Sequence, residues 1–175
     1  MMIEKNVQKI AAVYFLKNNL LQINAFRKKY DPSVYVIPPH ITIVSPVDTV
    51  SENDFLAHIE TVIKNANSFT IHLNGVKKTN DKLLSLVVRE GSEELINLHN
   101  SLYTGILAPF LFSDFEFSPH VTVGDSENKS AEVFEAAYKE ARMLDMNIKE
   151  IVNEITVVRG DGIQPVSIIK SMLRK

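Results

Sequence analysis

A five-residue pattern occurs twice in this 175-residue chain. Pro39-His40-Ile41-Thr42-Ile43 returns 80 positions later as Pro119-His120-Val121-Thr122-Val123. The repetition extends to the flanking elements. Before the first copy, the apolar run Ile10 to Leu16 reads as a buried strand, and Asn18 to Tyr30 carries Leu20, Ile23, Phe26 and Tyr30 at helical spacing. Before the second copy, Leu83 to Arg89 reads as a strand. A helix follows from Gly91-Ser92, with Leu95, Leu98, Leu102 and Ile106 on one face, ending at Pro109. After each copy come a polar loop, an amphipathic helix (Ser51 to Ala66, Ser130 to Leu144) and further strands (Phe69 to Val76, Ile148 to Val158). Val166 to Leu173 closes the chain as a last strand. A duplication at so long a period predicts two similar units related by a pseudo-two-fold axis.

The expected fold is therefore α+β: a pseudo-two-fold pair of β-α-β-α-β units, with antiparallel sheets lining a central cleft and helices outside. Residues 1–175 form one domain of two lobes, about 1–90 and 83–175, overlapping at a shared strand. Lys77 to Lys82 reads as the turn of a hairpin, and Val34 to Ile37 as extended chain before Pro38-Pro39.

Side chains two apart on a strand share a face. His40 and Thr42 thus face one way, as do His120 and Thr122, while Ile41, Ile43, Val121 and Val123 face a core. Pseudo-symmetry then brings two imidazoles and two hydroxyls to one cleft. An imidazole titrates near neutrality, so one can accept a proton while the other donates. Hydroxyls can donate hydrogen bonds to nonbridging phosphate oxygens. The set suits displacement at a phosphodiester, and pseudo-symmetry alone does not say which histidine is the acid.

Composition removes competing chemistries. The chain has no cysteine, which excludes disulfides, thiolate metal sites and a cysteine nucleophile. Two histidines sharing their faces with hydroxyls fall short of the usual metal-ligand set, so no metal or other cofactor is expected. No Gly-x-Ser-x-Gly elbow, phosphate-binding loop or dinucleotide-binding glycine pattern occurs. A net charge of −2 gives no global basic field for long duplex nucleic acid. No apolar run is long enough for a bilayer and Met1 to Lys9 lacks an apolar signal core, so a cytoplasmic protein with no membrane partner is expected.

The two motifs, His40-Ile41-Thr42-Ile43 and His120-Val121-Thr122-Val123, resemble those of the two-histidine (2H) phosphoesterase superfamily, which includes 2′-5′ RNA ligase-like proteins and cyclic phosphodiesterases. Tyr30-Asp31-Pro32 through Ile37-Pro38-Pro39-His40 further resembles a small Firmicutes branch of phosphoesterases. The resemblance implies a bilobal fold with a concave cleft and a metal-independent hydrolase acting on ribose 2′,3′-cyclic phosphates or related cyclic phosphodiesters. It implies His120 as proton acceptor and His40 as proton donor, a 2′-phosphate product, and Thr42 and Thr122 as phosphate ligands. The implied partner is a small nucleotide or an RNA-end cyclic phosphate. The competing readings are a nucleotide- or RNA-end-binding module without turnover, and 2′-5′ RNA ligase-type activity.

Other residues rank lower. His58 and His72 are expected to be exposed or solvated, and His99 partly buried and structural. Lys77, Lys78 and Lys82 form a basic turn that could touch phosphates. Arg89 and Arg159 occupy corresponding strand ends and could flank the cleft. Phe110, Phe112, Phe115 and Phe117 crowd the approach to the second motif, where core packing is the default.

Overall fold

The computed structural model describes residues 8–79, 82–112, 114, 116–126 and 129–172. Phe115, the start of the chain through Val7, Asn80 and Asp81 of the expected hairpin turn, and Leu173 lie outside the described residues. In chain order the elements are β1 (Lys9–Phe15), α1 (Leu20–Tyr30), β2 (His40–Val47), α2 (Glu52–Ile63), β3 (Phe69–Thr79), β4 (Leu83–Glu90), α3 (Ser92–Leu102), β5 (His120–Asp125), α4 (Ala131–Met143), β6 (Ile148–Val152), β7 (Ile155–Gly160) and β8 (Ser167–Met172). The fold is the expected α+β duplication, with two four-stranded antiparallel sheets ordered β2-β1-β7-β8 and β5-β4-β3-β6.

The lobes do not divide the chain as its element order suggests. Among the described residues each strand belongs to one sheet only. Instead the third strand of the first half, β3, lies in the second sheet between β4 and β6, while β7 lies in the first sheet between β1 and β8. The reason is local for β3 and β4: a tight antiparallel connection pairs them as a hairpin. The run Ile148 to Val158 is accordingly two strands. Burial alternates through Ile148, Glu150 and Val152, breaks at Asn153-Glu154, and resumes as a continuous buried run from Ile155. At that polar pair the chain crosses from one sheet to the other.

Helices α1 and α3 each pack against the motif strand of the opposite half, α1 on β5 and α3 on β2. The main core fills the space among sheets and helices, with Tyr14, Phe26, Ile41, Phe55, Leu73, Leu86, Val121 and Val157 all nearly or fully excluded from water. Inside it Glu150 of β6 accepts from the Tyr14 hydroxyl of β1 at 2.7 Å and from the Lys17 and Asn18 amides at 2.9 and 2.6 Å. Burial and this carboxylate push the Tyr14 phenol far above its ordinary value, so it stays a donor.

Three further expectations change. Helix α3 stops at Leu102, and a 3-10 turn over Gly105–Phe110 contains Pro109, leaving Ile106 exposed. Residues 32–35 form a 3-10 turn rather than extended chain, because Asp31 caps it through the Ser33 amide. Lys77, Lys78 and Thr79 belong to β3, so the hairpin turn is shorter than six residues. Gly91, with φ of 77°, opens α3. A Cβ there would lie 2.4 Å from the Thr70 carbonyl oxygen, which only glycine avoids.

Candidate functional site

The two motif strands are built alike to the level of single residues. Both begin at the histidine, and their first five residues share one burial pattern: half-buried, buried, half-buried, buried, buried. The last two positions break strict alternation because each strand bulges one residue past its threonine. Val13 pairs with Thr42 and Ala12 with Val44. Likewise Ser85 pairs with Thr122 and Leu84 with Gly124. A bulge at this point sharpens the twist and lets Ile43-Val44 and Val123-Gly124 both turn inward.

The histidine rings are set by matching hydrogen bonds. His40 Nδ1 lies 2.9 Å from the Pro38 carbonyl oxygen and His120 Nδ1 lies 2.8 Å from that of Ser118. A carbonyl only accepts, so Nδ1 carries the proton in each neutral ring. The second ring nitrogen, Nε2, is left as the one that exchanges protons. Both histidines and both threonines line one open cleft of about 460 Å³, together with Ser45, Lys77, Thr79, His99, Tyr103, Phe112, Glu116 and Phe117. Thus the structure brings together the four residues singled out by the repeat. Burial lowers the His40 pKa below the usual imidazole value of 6.5, and the nearby Arg27 and His120 push the same way. The Pro38 hydrogen bond and Asp31 oppose them.

The loops feeding the two histidines are pinned one residue before the accepting carbonyl, by different chemistry. In the first half, Arg27 of α1 is almost fully buried. Its Nε donates to Asp31 at 2.7 Å, one terminal nitrogen to the Ile37 carbonyl at 3.0 Å, and the other to the Ser33 hydroxyl at 3.1 Å. In the second half, Phe117 stacks flat on His99 of α3, with ring centroids 3.8 Å apart and planes 1° from parallel. His99 Nδ1 donates to the Ile43 carbonyl of β2 at 2.8 Å, and its ring packs against Tyr103. The Tyr103 hydroxyl in turn accepts from the Ser45 amide at 2.9 Å. Burial lowers the His99 pKa. His99 is therefore a wall of the cleft as well as a buried support. Its place beside the Leu95–Leu102 stripe was legible, but its reach to the opposite half depends on which sheet α3 covers.

The remaining expectations divide. Phe112 and Phe117 line the cleft, whereas Phe110 packs against the core. Arg89 donates to the Asn74 carbonyl and Arg159 pairs with Glu52, and neither is among the residues lining the cleft. Strand-end position alone does not aim a side chain inward. His72 and His58 are not free in solvent: His72 Nε2 lies 2.7 Å from Asn147 Oδ1, and His58 Nε2 lies 2.9 Å from the Leu102 carbonyl. Among the described residues no three histidine or carboxylate side chains gather as a metal-binding cluster, and no helix is long and apolar enough to cross a membrane.

A duplicated fold with paired motif strands invites comparison with known proteins. The sequence matches the 2′-5′ RNA ligase superfamily over residues 16–164. The chain belongs to that family. A Bacillus licheniformis protein named "Putative phosphoesterase" is 29% identical over 154 residues, covering 83% of this chain and 86% of the relative. A Bacillus mycoides protein of the same name is 31% identical over 106 residues, 58% of this chain and 59% of the relative. Among solved structures, Escherichia coli LigT in complex with 3′-AMP superimposes with a TM-score of 0.65 at 20% identity, covering 96% of this chain and 99% of LigT. Kluyveromyces marxianus Usb1 aligns over 99% of this chain and 100% of its own, with a TM-score of 0.54 at 14% identity. At those identities the superpositions speak for the fold.

Proposed function

We propose that this phosphoesterase of the 2′-5′ RNA ligase superfamily opens ribose 2′,3′-cyclic phosphates, or closely related cyclic phosphodiesters, by acid–base catalysis between His40 and His120 without a metal. The observation that carries the reading is the matched pair of imidazoles, each locked through Nδ1 to a backbone carbonyl, at one cleft with a threonine two residues on. The relatives' names and the small nucleotide held by LigT in the 3′-AMP complex support the substrate class.

In the proposed reaction His120 takes a proton from water through Nε2 as the oxygen attacks phosphorus. The P–O3′ bond breaks, and His40 delivers a proton to O3′, leaving a 2′-phosphate. Thr42 and Thr122 donate to the nonbridging oxygens, where negative charge builds. His40 must be an imidazolium when it acts, yet burial favours its neutral form in the free protein. An anionic phosphate in the cleft reverses that preference, because a neighbouring negative charge favours the protonated ring. Substrate binding then takes up a proton at His40.

The test is turnover of the four nucleoside 2′,3′-cyclic phosphates in EDTA, with 2′- and 3′-phosphate products resolved, beside His40→Ala and His120→Ala. Turnover that survives EDTA, yields the 2′-phosphate and falls at least about a hundredfold in each variant is the expected result. Undiminished turnover in either variant overturns the two-histidine mechanism.

A further inference from the structure

We propose that the cleft contains a second anion subsite, built on Lys77, which takes a further phosphate carried by the substrate one ribose away from the reacting one. This rests on the phosphoesterase reading and adds to it a statement of which cyclic phosphates are preferred.

Cross-strand pairing puts Lys77 in the site. Lys77 of β3 pairs with Ser85 of β4, and Ser85 pairs with Thr122 of β5. Directly paired residues project from the same face of a sheet. Lys77, Ser85 and Thr122 therefore form one row, and Lys77 and Thr122 both line the cleft. The neighbouring Lys78 points to the other face, where it pairs with Glu135 and lies over the Tyr138 ring. The Lys77 ammonium makes no ion pair or hydrogen bond among the described residues. Glu116, also on the cleft wall, is not within ion-pair distance of it. Beside Lys77, Thr79 donates to the fully buried Ser85 hydroxyl at 2.9 Å, fixing the floor of the row.

The pseudo-symmetric row in the other sheet shows that a cation is not a requirement of the fold. There Thr42 pairs with Val13, and Val13 with Thr156. Val13 and Thr156 are both buried. A second cavity of about 410 Å³ shares His40 and Thr42 with the cleft and is walled by Ala11, Val13, Val36, Ile37, Val158 and Val166, with Lys9 and Asp161 also lining it. One side of the reacting phosphate thus faces a largely apolar pocket, and the other faces an ammonium with no partner among the described residues. Two strand spacings separate Lys77 from Thr122, ~10 Å at the backbone. Their side chains rise side by side from the same face, so that separation leaves room for one ribose between ammonium and reacting phosphorus. A 5′-phosphate on a nucleoside 2′,3′-cyclic phosphate has this placement.

The experiment compares adenosine 2′,3′-cyclic phosphate with its 5′-phosphorylated form in the wild type, Lys77→Gln and Lys77→Arg. Calorimetry of 2′-AMP and adenosine 2′,5′-bisphosphate runs alongside. The expected ratio of kcat/KM, with over without the 5′-phosphate, is about tenfold or more in the wild type and Lys77→Arg, and near one in Lys77→Gln. The bisphosphate is expected to bind tighter than 2′-AMP by a similar factor, again lost only in Lys77→Gln. A wild-type ratio near one, or a ratio unchanged by Lys77→Gln, overturns the subsite. If neither cyclic phosphate turns over, the calorimetric ratio decides it alone: a bisphosphate preference that needs Lys77 upholds the subsite while the proposed reaction falls, and equal affinities overturn the subsite.

Discussion

The two halves of the cleft differ in what holds them and agree in what they present. Each offers a histidine fixed through Nδ1 to the carbonyl two residues earlier, and a threonine just before a bulge. Behind these, one half uses a buried guanidinium–carboxylate pair, Arg27 with Asp31, to hold the Ile37 carbonyl. The other uses a neutral stack, His99 on Phe117. The lesson is that the two halves share the backbone device facing the cleft while its supports and neighbours differ. In the proposed reaction the shared device is what the chemistry needs twice. The differences mark what each half needs once.

Substitutions can break or sharpen this comparison. The largest effect is expected where the halves are alike. His40→Ala and His120→Ala should each lower the proposed turnover at least about a hundredfold, and the double variant should lose far less than the product of the two because they act as a unit. Multiplicative losses in single-turnover assays would show that the histidines work independently. The next effect distinguishes the supports. Arg27→Met strands the Asp31 carboxylate in the interior and should cost about 3 kcal/mol in chemical denaturation. His99→Leu keeps the volume, loses one hydrogen bond and the stack, and should cost about 1–2 kcal/mol. Equal costs would erase the distinction between charged and neutral support. Thr42→Val and Thr122→Val should each slow turnover about tenfold, the cost of one hydrogen bond to a charged phosphate oxygen.

The smallest effect is a slope. Burial lowers the pKa of both His40 and His99, so the unfolded chain binds protons more readily than the folded one just below the usual imidazole value of 6.5. Stability is then fully present above pH 6.5 and is lost as pH falls through the folded-state values. The melting temperature should drop on acidification from pH 7.5 towards 5.5, and His99→Leu should flatten part of that drop. A His99→Leu slope matching the wild type would place the effect elsewhere. For the proposed acid His40, deprotonation removes activity, so kcat/KM should decline with rising pH from below 6.5 while kcat holds to higher pH with phosphate bound.

Much of this was legible in the residues because it was written twice. The period of 80 positions located His40, Thr42, His120 and Thr122, and strand alternation gave each pair its shared face. What stayed hidden depends on partners far apart in the chain. Lys77 reads as a turn residue until pairing with Ser85 extends β3 to Thr79. His99 reads as a helix residue beside a leucine stripe until α3 is seen to cover β2. Ile148 to Val158 reads as one strand, because local periodicity does not report that the chain changes sheets at Asn153-Glu154. Arg89 and Arg159 mislead for the same reason: equivalent positions in a repeat are equivalent in backbone, and their side chains answer to whatever packs nearby.

The exchange of β3 and β7 between the sheets sets the order in which the protein can assemble. β1 lies between β2, about thirty residues away, and β7, about 140 residues away. During synthesis the β3–β4 hairpin can close early and begin the second sheet. The first sheet has only β1 and β2 until nearly the whole chain has emerged. Pairing at such separation makes folding slow and leaves β1 with an open apolar edge meanwhile. The nascent chain thus has its longest exposure to misassembly at its earliest strand, and a ribosome-stalled fragment ending before Ile155 should carry a protected second-sheet hairpin beside an unprotected β1.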